Sequence, residues 1–214
     1  CEGPIALGHQ MLHTTPESLH EKLPFEDEEA GLVITADARI DNRKELAPKL
    51  EIEDNEYVSD SYFILKAYQK WGEKCTENLL GDFAFAIWDG RQSKLFCARD
   101  HFGVKPFYYA HMGNSFIFSN TLNCIRRHPA VSTTLNERAI GDFLLFDYNY
   151  DPATTTFSDI QRLPAAHSLT FSGGMFRMRQ YWTLPIPEEV RYRQASDYVD
   201  HFRELLSSAV SDRL

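Results

Sequence analysis

The sequence has little that would direct it to a membrane, a metal ion or a nucleic acid. No run of apolar residues approaches the ~18 that a membrane-spanning helix needs. The cysteines, Cys1, Cys75, Cys97 and Cys124, form no CxxC pair and no metal-site spacing. The net charge of −9 argues against nucleic acid, whose protein partners usually present a basic surface. We therefore expect neither a metal in this chain nor a membrane or nucleic acid as its partner.

What the chain does contain is the composition of an ordinary globular protein. Its 214 residues, 43% of them hydrophobic, are enough for one substantial core, or for one domain and the start of another. Cysteines without a pairing pattern fit a reducing compartment, so we expect the cytoplasm. The chain opens without methionine and closes on a helical pattern that has no stop signal after it. We expect both ends to be cut.

Periodicity and turn residues outline the secondary structure. Strands are predicted at about 4–9, 31–37, 82–89, 94–98, 106–110, 115–119, 166–171 and 175–182. Helices are predicted at about 42–50, 60–71, 120–127, 136–146 and 196–213. Ser59 and Asp60 predict a helix N-cap, Thr134 and Glu137 have capping-box spacing, and Ser172-Gly173-Gly174 predicts a hairpin. Strands and helices without strict alternation indicate an α+β fold with antiparallel sheets.

Two segments carry the most specific pattern in the chain. Gly81-Asp82-Phe83-Ala84-Phe85-Ala86-Ile87-Trp88-Asp89 is typical of a strand, and Arg99-Asp100-His101-Phe102-Gly103-Val104-Lys105-Pro106-Phe107-Tyr108-Tyr109 of a polar loop that enters another strand. Together they resemble the class II (N-terminal-nucleophile) glutamine amidotransferase domain of glutamine-hydrolysing asparagine synthetases. The resemblance implies a four-layer αββα fold of the N-terminal-nucleophile hydrolase type, here expected to lack its first strand.

The resemblance also implies a domain organisation. Residues 1–183 would form an N-terminally incomplete amidotransferase domain, and residues 184–214 a linker and the first helix of a missing ATP-dependent synthetase domain. ATP and Mg²⁺ would belong to that domain, because its Ser-Gly-Gly-x-Asp-Ser loop is absent here and Ser172-Gly173-Gly174-Met175 lacks the Asp and the Ser. No cofactor is expected in the fragment, and a homodimer is one expected assembly.

The family's glutaminase chemistry uses an N-terminal cysteine whose α-amine acts as base. Cys1 is a poor candidate for this role. Only seven residues separate it from His9, whereas a few dozen separate the family's nucleophile from the corresponding Ala-His-x-Arg-Leu strand. We therefore expect no catalytic residue within the fragment.

The glutamine-binding positions are altered in this sequence. The resemblance places Met11 where the family has an arginine for the substrate α-carboxylate, and a thioether offers no cation. It places Asp37 and Ala38 where the family's Asn and Gly donate to the oxyanion. An ionised Asp37 can only accept hydrogen bonds, and losing one such donor typically costs ~10²–10³ in rate.

Three positions keep the family pattern, namely Asp60, Arg99 and Asp100. Asp60 corresponds to the aspartate that takes the substrate α-amino group, although Ser59-Asp60 is also an ordinary helix start. Arg99 and Asp100 are candidates for substrate contact or for a structural loop salt bridge. His9 is expected to be a hydrogen-bonded core histidine.

Three functions follow from these observations. The first is a glutaminase domain that feeds ammonia to a synthetase domain acting on aspartate or another acid. The second is a degenerate scaffold domain of an amide-forming ligase, as in β-lactam synthetases or lasso-peptide cyclases, without glutamine hydrolysis. The third is an unrelated binding module, since a fold alone does not determine function. Met11, Asp37 and Ala38 favour the second for chemistry, whereas the overall resemblance favours the first.

Overall fold

The computed structural model describes residues 4–13, 17–53, 55, 57–186, 188–211 and 213. The chain divides into two compact units, Cys1–Trp182 and Thr183–Leu214. The second unit holds helix α5, Ala195–Ser211, none of whose side chains is buried. Within the residues described, no helix has both the length and the apolar character that a membrane span requires.

The first unit contains the sheets. Its strands are β1 Phe25–Asp27, β2 Leu32–Ile40, β3 Gly81–Asp89, β4 Lys94–Arg99, β5 Tyr108–Met112, β6 Ser115–Ser119, β7 Gln161–Arg162, β8 His167–Ser172 and β9 Met175–Gln180. Its α-helices are α1 Arg43–Leu50, α2 Asp60–Trp71, α3 Leu122–Ile125 and α4 Glu137–Phe146, with 3₁₀ turns at Glu17–His20 and Gly72–Glu77.

The strands form two sheets whose neighbours are all antiparallel. The larger has the order β1-β2-β3-β4-β8-β9, and the smaller has the order β6-β5-β7. One core cluster joins α1 and α2 to the larger sheet, a second joins the two sheets, and a third joins the smaller sheet to α3. The predicted α+β class with antiparallel sheets in αββα layers is confirmed.

Strand β3 shows how the sequence builds these layers. Side chains alternate between the two faces of a strand, and here Phe83, Phe85 and Ile87 pack in the helical layer. Ala84 and Ala86 face the smaller sheet. Large side chains therefore fill the helix-facing core. On the opposite face Ala84 and Ala86 present only methyl groups to the space between the sheets, and the larger Trp88 follows them near the end of the strand.

The predicted turns and caps are largely confirmed. The Ser59 hydroxyl accepts a hydrogen bond from the Tyr62 amide at the start of α2. The β8–β9 hairpin turns through Gly173 and Gly174, both at positive φ, as a two-residue turn favours. The predicted capping box at Thr134 is wrong. Instead, Asn136 caps α4, because its side chain accepts from the Ala139 amide at 3.1 Å.

The predicted strand at 4–9 is also wrong, because these residues form no strand. Their side chains alternate between half-buried and exposed, so the sequence signal is present. The backbone, however, is paired in no ladder among the strands described. The segment is held by side chains instead: Ile5 packs on the core between the sheets, and His9 Nδ1 lies 3.0 Å from Thr35 Oγ1.

Candidate functional site

Two adjoining cavities lie beside β2. The larger, of about 620 Å³, has Ala84 and Ala86 of β3 on one side and Phe107 and Phe118 on the other. The smaller, of about 150 Å³, lies towards the start of α2 and includes Asp60. Both are lined by residues 9–12 and by Ala36, Asp37 and Asn120, so they meet at the centre of β2.

The smaller cavity brings together four of the predicted substrate-binding residues. Met11, Asp37, Ala38 and Asp60 all line it, although the sequence separates them by up to 49 positions (60 − 11). The extended 4–13 segment provides Met11, β2 provides Asp37 and Ala38, and the first turn of α2 provides Asp60. Binding of a substrate by these residues stays a prediction.

Asp37 is engaged in an ion pair within this cavity. Its Oδ1 lies 2.6 Å from Nζ of Lys105, and about a third of each side chain is exposed, 36% for Asp37 and 31% for Lys105. Lys105 precedes β5, so the pair connects the larger sheet to the loop that enters the smaller one. The acidic side chain at the position where the family resemblance implies an oxyanion donor therefore has its own counter-ion.

Asp60 is also engaged. Its Oδ1 receives a hydrogen bond from Arg43 Nη1 at 3.0 Å, and both side chains are largely buried. Arg43 also donates to the Val58 carbonyl at 2.6 Å and lies over the Phe63 ring, 4.7 Å from its centroid. An incoming ammonium group would have to share the Asp60 carboxylate with this guanidinium.

Arg99 and Asp100 line neither of these two cavities. They hold the loop between β4 and β5. Arg99 donates from Nε to the Lys105 carbonyl at 2.6 Å, from Nη1 to the Leu163 carbonyl at 2.8 Å, and from Nη2 to the Gly103 carbonyl. Burial lowers the pKa of Arg99, and the nearby Asp100 carboxylate opposes that shift. Arg99 thus binds the backbone of the loop, and a substrate contact for it stays a prediction.

Asp100 completes the same loop from the other side. Only 1% of the residue is exposed. Its Oδ1 accepts from the amides of Phe102 at 3.1 Å and Val104 at 2.9 Å, and its Oδ2 from the Lys105 amide at 2.9 Å. The N–H and the C=O of Lys105 are thus bound by Asp100 and Arg99 respectively, so the two predicted residues fix the backbone from which the Lys105 side chain enters the cavity.

Lys105, Arg43 and Cys124 were missed as site residues. Lys105 was visible within the loop motif, but its contact with Asp37 spans 68 positions (105 − 37) and has no local sequence signal. Cys124 lines the larger cavity, where the Thr121 hydroxyl donates to its Sγ at 3.0 Å and lowers the pKa of the thiol. Among the described side chains, no group of three or more His, Cys, Asp or Glu is placed to hold a metal ion.

Residues 1–182 match the glutamine amidotransferase domain family. The chain belongs to this family. The amidotransferase domain is 32% identical over 175 residues to asparagine synthetase (glutamine-hydrolyzing) 3 of Bacillus subtilis, covering 81% of this chain and 28% of that protein. It is 29% identical over 200 residues to asparagine synthetase (glutamine-hydrolyzing) 2 of the same organism, covering 87% and 26%. The chain thus spans about a quarter of the length of these curated relatives.

Among solved structures, glutamine phosphoribosylpyrophosphate amidotransferase from B. subtilis matches with a TM-score of 0.48 and 15% identity, covering 75% of this chain and 31% of that one.

Proposed function

We propose that this amidotransferase domain belongs to an asparagine synthetase-like, ATP-dependent amide-forming ligase and does not hydrolyse glutamine. The relatives named above are glutamine-hydrolysing asparagine synthetases, which supports the ligase assignment. A synthetase domain after residues 184–214 would bind ATP and Mg²⁺ and activate aspartate or another acid. A cytoplasmic location and a homodimer stay predictions.

The observation that carries the loss of hydrolysis is the Asp37–Lys105 ion pair. Asp37 occupies the position at which the family resemblance implies an oxyanion donor, and its carboxylate is an acceptor already bonded to Lys105 at 2.6 Å. Met11 supplies no cation for a substrate α-carboxylate, and Asp60 is paired with Arg43. The α-carboxylate of glutamine would therefore find Lys105 already paired with Asp37, and its α-ammonium group would find Asp60 already paired with Arg43.

A second candidate is a working glutaminase that passes ammonia to the synthetase domain. It is favoured by the relatives, which are glutamine-hydrolysing asparagine synthetases, and by Asp60, which lies in the cavity where an α-amino group could reach it. A further alternative is a scaffold domain of a β-lactam synthetase-like or lasso-cyclase-like ligase. In that case the nitrogen nucleophile would come from the ligase substrate itself.

The deciding experiment measures glutamate release from L-glutamine by the protein encoded by the complete reading frame, in the presence of ATP, Mg²⁺ and aspartate. We expect no release above the rate with heat-denatured protein. Ammonium chloride in place of glutamine serves as the matched control, since it bypasses the amidotransferase domain. ATP consumption with ammonium but not with glutamine supports the proposal, whereas sustained glutamate release overturns it.

A further inference from the structure

Lys105 is the one lysine or arginine among the described residues that line the smaller cavity. It is also the natural partner for any carboxylate that enters, because an ammonium group is a compact cation with three hydrogen-bond donors. Its position is fixed through the backbone, with the Lys105 amide bound by Asp100 and its carbonyl by Arg99. The cavity therefore contains a cation on a rigidly held loop.

That cation is neutralised by a neighbour on β2. Asp37 Oδ1 lies 2.6 Å from Lys105 Nζ, so an incoming carboxylate would have to displace or share the bond. Of the other acidic side chains that line the cavity, Asp60 is paired with Arg43, and Glu21 adds negative charge near an incoming ligand. Like charges placed this close disfavour a further anion.

We propose that Asp37 is a specificity determinant which keeps carboxylate ligands out of the cavity by occupying Lys105, and that Lys105 is its latent carboxylate-binding residue. This inference rests on the proposed function, because both concern the same cavity. It adds the residue pair that controls which ligands enter. The ligand class admitted after removal of the Asp37 charge is a small amino acid carboxylate.

The pair can be opened without damage to the core. About a third of each side chain is exposed, and exposed ion pairs contribute little to stability. Replacing Asp37 with Asn keeps the size of the side chain while removing its charge. Lys105 would then be available to a ligand, and a charge-assisted hydrogen bond of this kind corresponds to about tenfold or more in affinity.

The test is calorimetric titration of the wild-type protein and the Asp37→Asn variant with L-glutamine and, as a ligand lacking the carboxylate, 4-aminobutanamide. We expect Asp37→Asn to bind L-glutamine at least about tenfold more tightly than the wild type, with no tightening for 4-aminobutanamide. The double variant Asp37→Asn/Lys105→Met should lose the gain. Asp37→Ala provides the same test should the Asn variant fold poorly.

A gain in affinity for L-glutamine smaller than this overturns the inference. So does a gain that persists in the Asp37→Asn/Lys105→Met variant, or an equal gain for 4-aminobutanamide, which has no carboxylate. The two proposals fail in distinguishable ways. Wild-type glutamate release would overturn both the loss of hydrolysis and the exclusion of carboxylates, whereas an unresponsive Asp37→Asn variant of a protein that releases no glutamate overturns only the inference about Asp37.

Discussion

Replacing Asp100 with Ala would leave three backbone amides in the loop without their acceptor. Oδ1 of this buried carboxylate serves Phe102 and Val104, and Oδ2 serves Lys105. Hydrogen bonds to a charged group contribute about 1.5–3 kcal/mol each and are not additive. Breaking such a buried network costs about 3–5 kcal/mol of the free energy of unfolding.

The Asp100→Asn variant distinguishes the contributions of the two carboxylate oxygens. Its amide oxygen can still accept from Phe102 and Val104, while its NH₂ group faces the Lys105 amide, which is also a donor. We expect a smaller loss of about 1.5–3 kcal/mol, since one bond of the three is broken. Because that bond holds Lys105, the variant should loosen the residue that enters the cavity while most of the loop keeps its shape.

Urea titrations of the three proteins, followed by tryptophan fluorescence, would measure these differences at constant m-value. Glu77→Gln is a suitable control because its partner Arg179 and Glu77 are both exposed by more than a third, and such a pair is worth about 0–1 kcal/mol. An Asp100→Ala variant within about 1 kcal/mol of the wild type would refute the reasoning. Equal losses for the Ala and Asn variants would refute the assignment of separate acceptors.

Three other expectations can be measured directly. Gly81→Ala should cost at least about 2 kcal/mol of unfolding free energy, because φ is +142° and a Cβ would lie 2.0 Å from a carbonyl oxygen; Gly113→Ala, at positive φ in open space, should cost less. Peptide mapping after brief thiol labelling should find Cys124 modified and Cys97 protected, since Cys124 is exposed, while burial raises the pKa of Cys97. Burial lowers the pKa of His101 below its ordinary 6.5, and the Asp100 carboxylate opposes the shift. As the pH falls, His101 is therefore protonated in the unfolded chain before it is protonated in the folded one, which destabilises the fold. The fall in Tm between pH 7.5 and pH 5.5 should be smaller in the His101→Phe variant than in the wild type.

The sequence predicted most of the fold because the larger elements have local signals. The apolar alternation of β3 and the Ser59 cap of α2 are read within a few residues. Two failures have a common cause. The extended 4–9 segment has the alternation of a strand but no ladder, and the short strands β1 and β7 have a ladder but too few residues to show a pattern. Hydrogen-bonded pairing is a property of two segments, and one segment cannot reveal it.

The candidate site was predicted only in part, because contacts between separate segments have no local sequence signal. Family resemblance located Met11, Asp37 and Asp60, which the structure places in one cavity. It did not show that Asp37 would meet Lys105 or that Asp60 would meet Arg43, because both contacts form only when separate elements pack together. Arg99 and Asp100 were identified as a pair, but their task of fixing a loop backbone becomes visible only with the hydrogen bonds.

The alternation of side chains along β3 separates the stability of the core from the size of the larger cavity. The stability depends on the aromatic side chains that face the helices, whereas the width of the larger cavity depends on Ala84 and Ala86. A larger side chain at either alanine would fill the larger cavity, while the β3 side chains that pack against α1 and α2 would keep their contacts. A lineage could therefore reshape or close this interior space over time while inheriting the helical core unchanged.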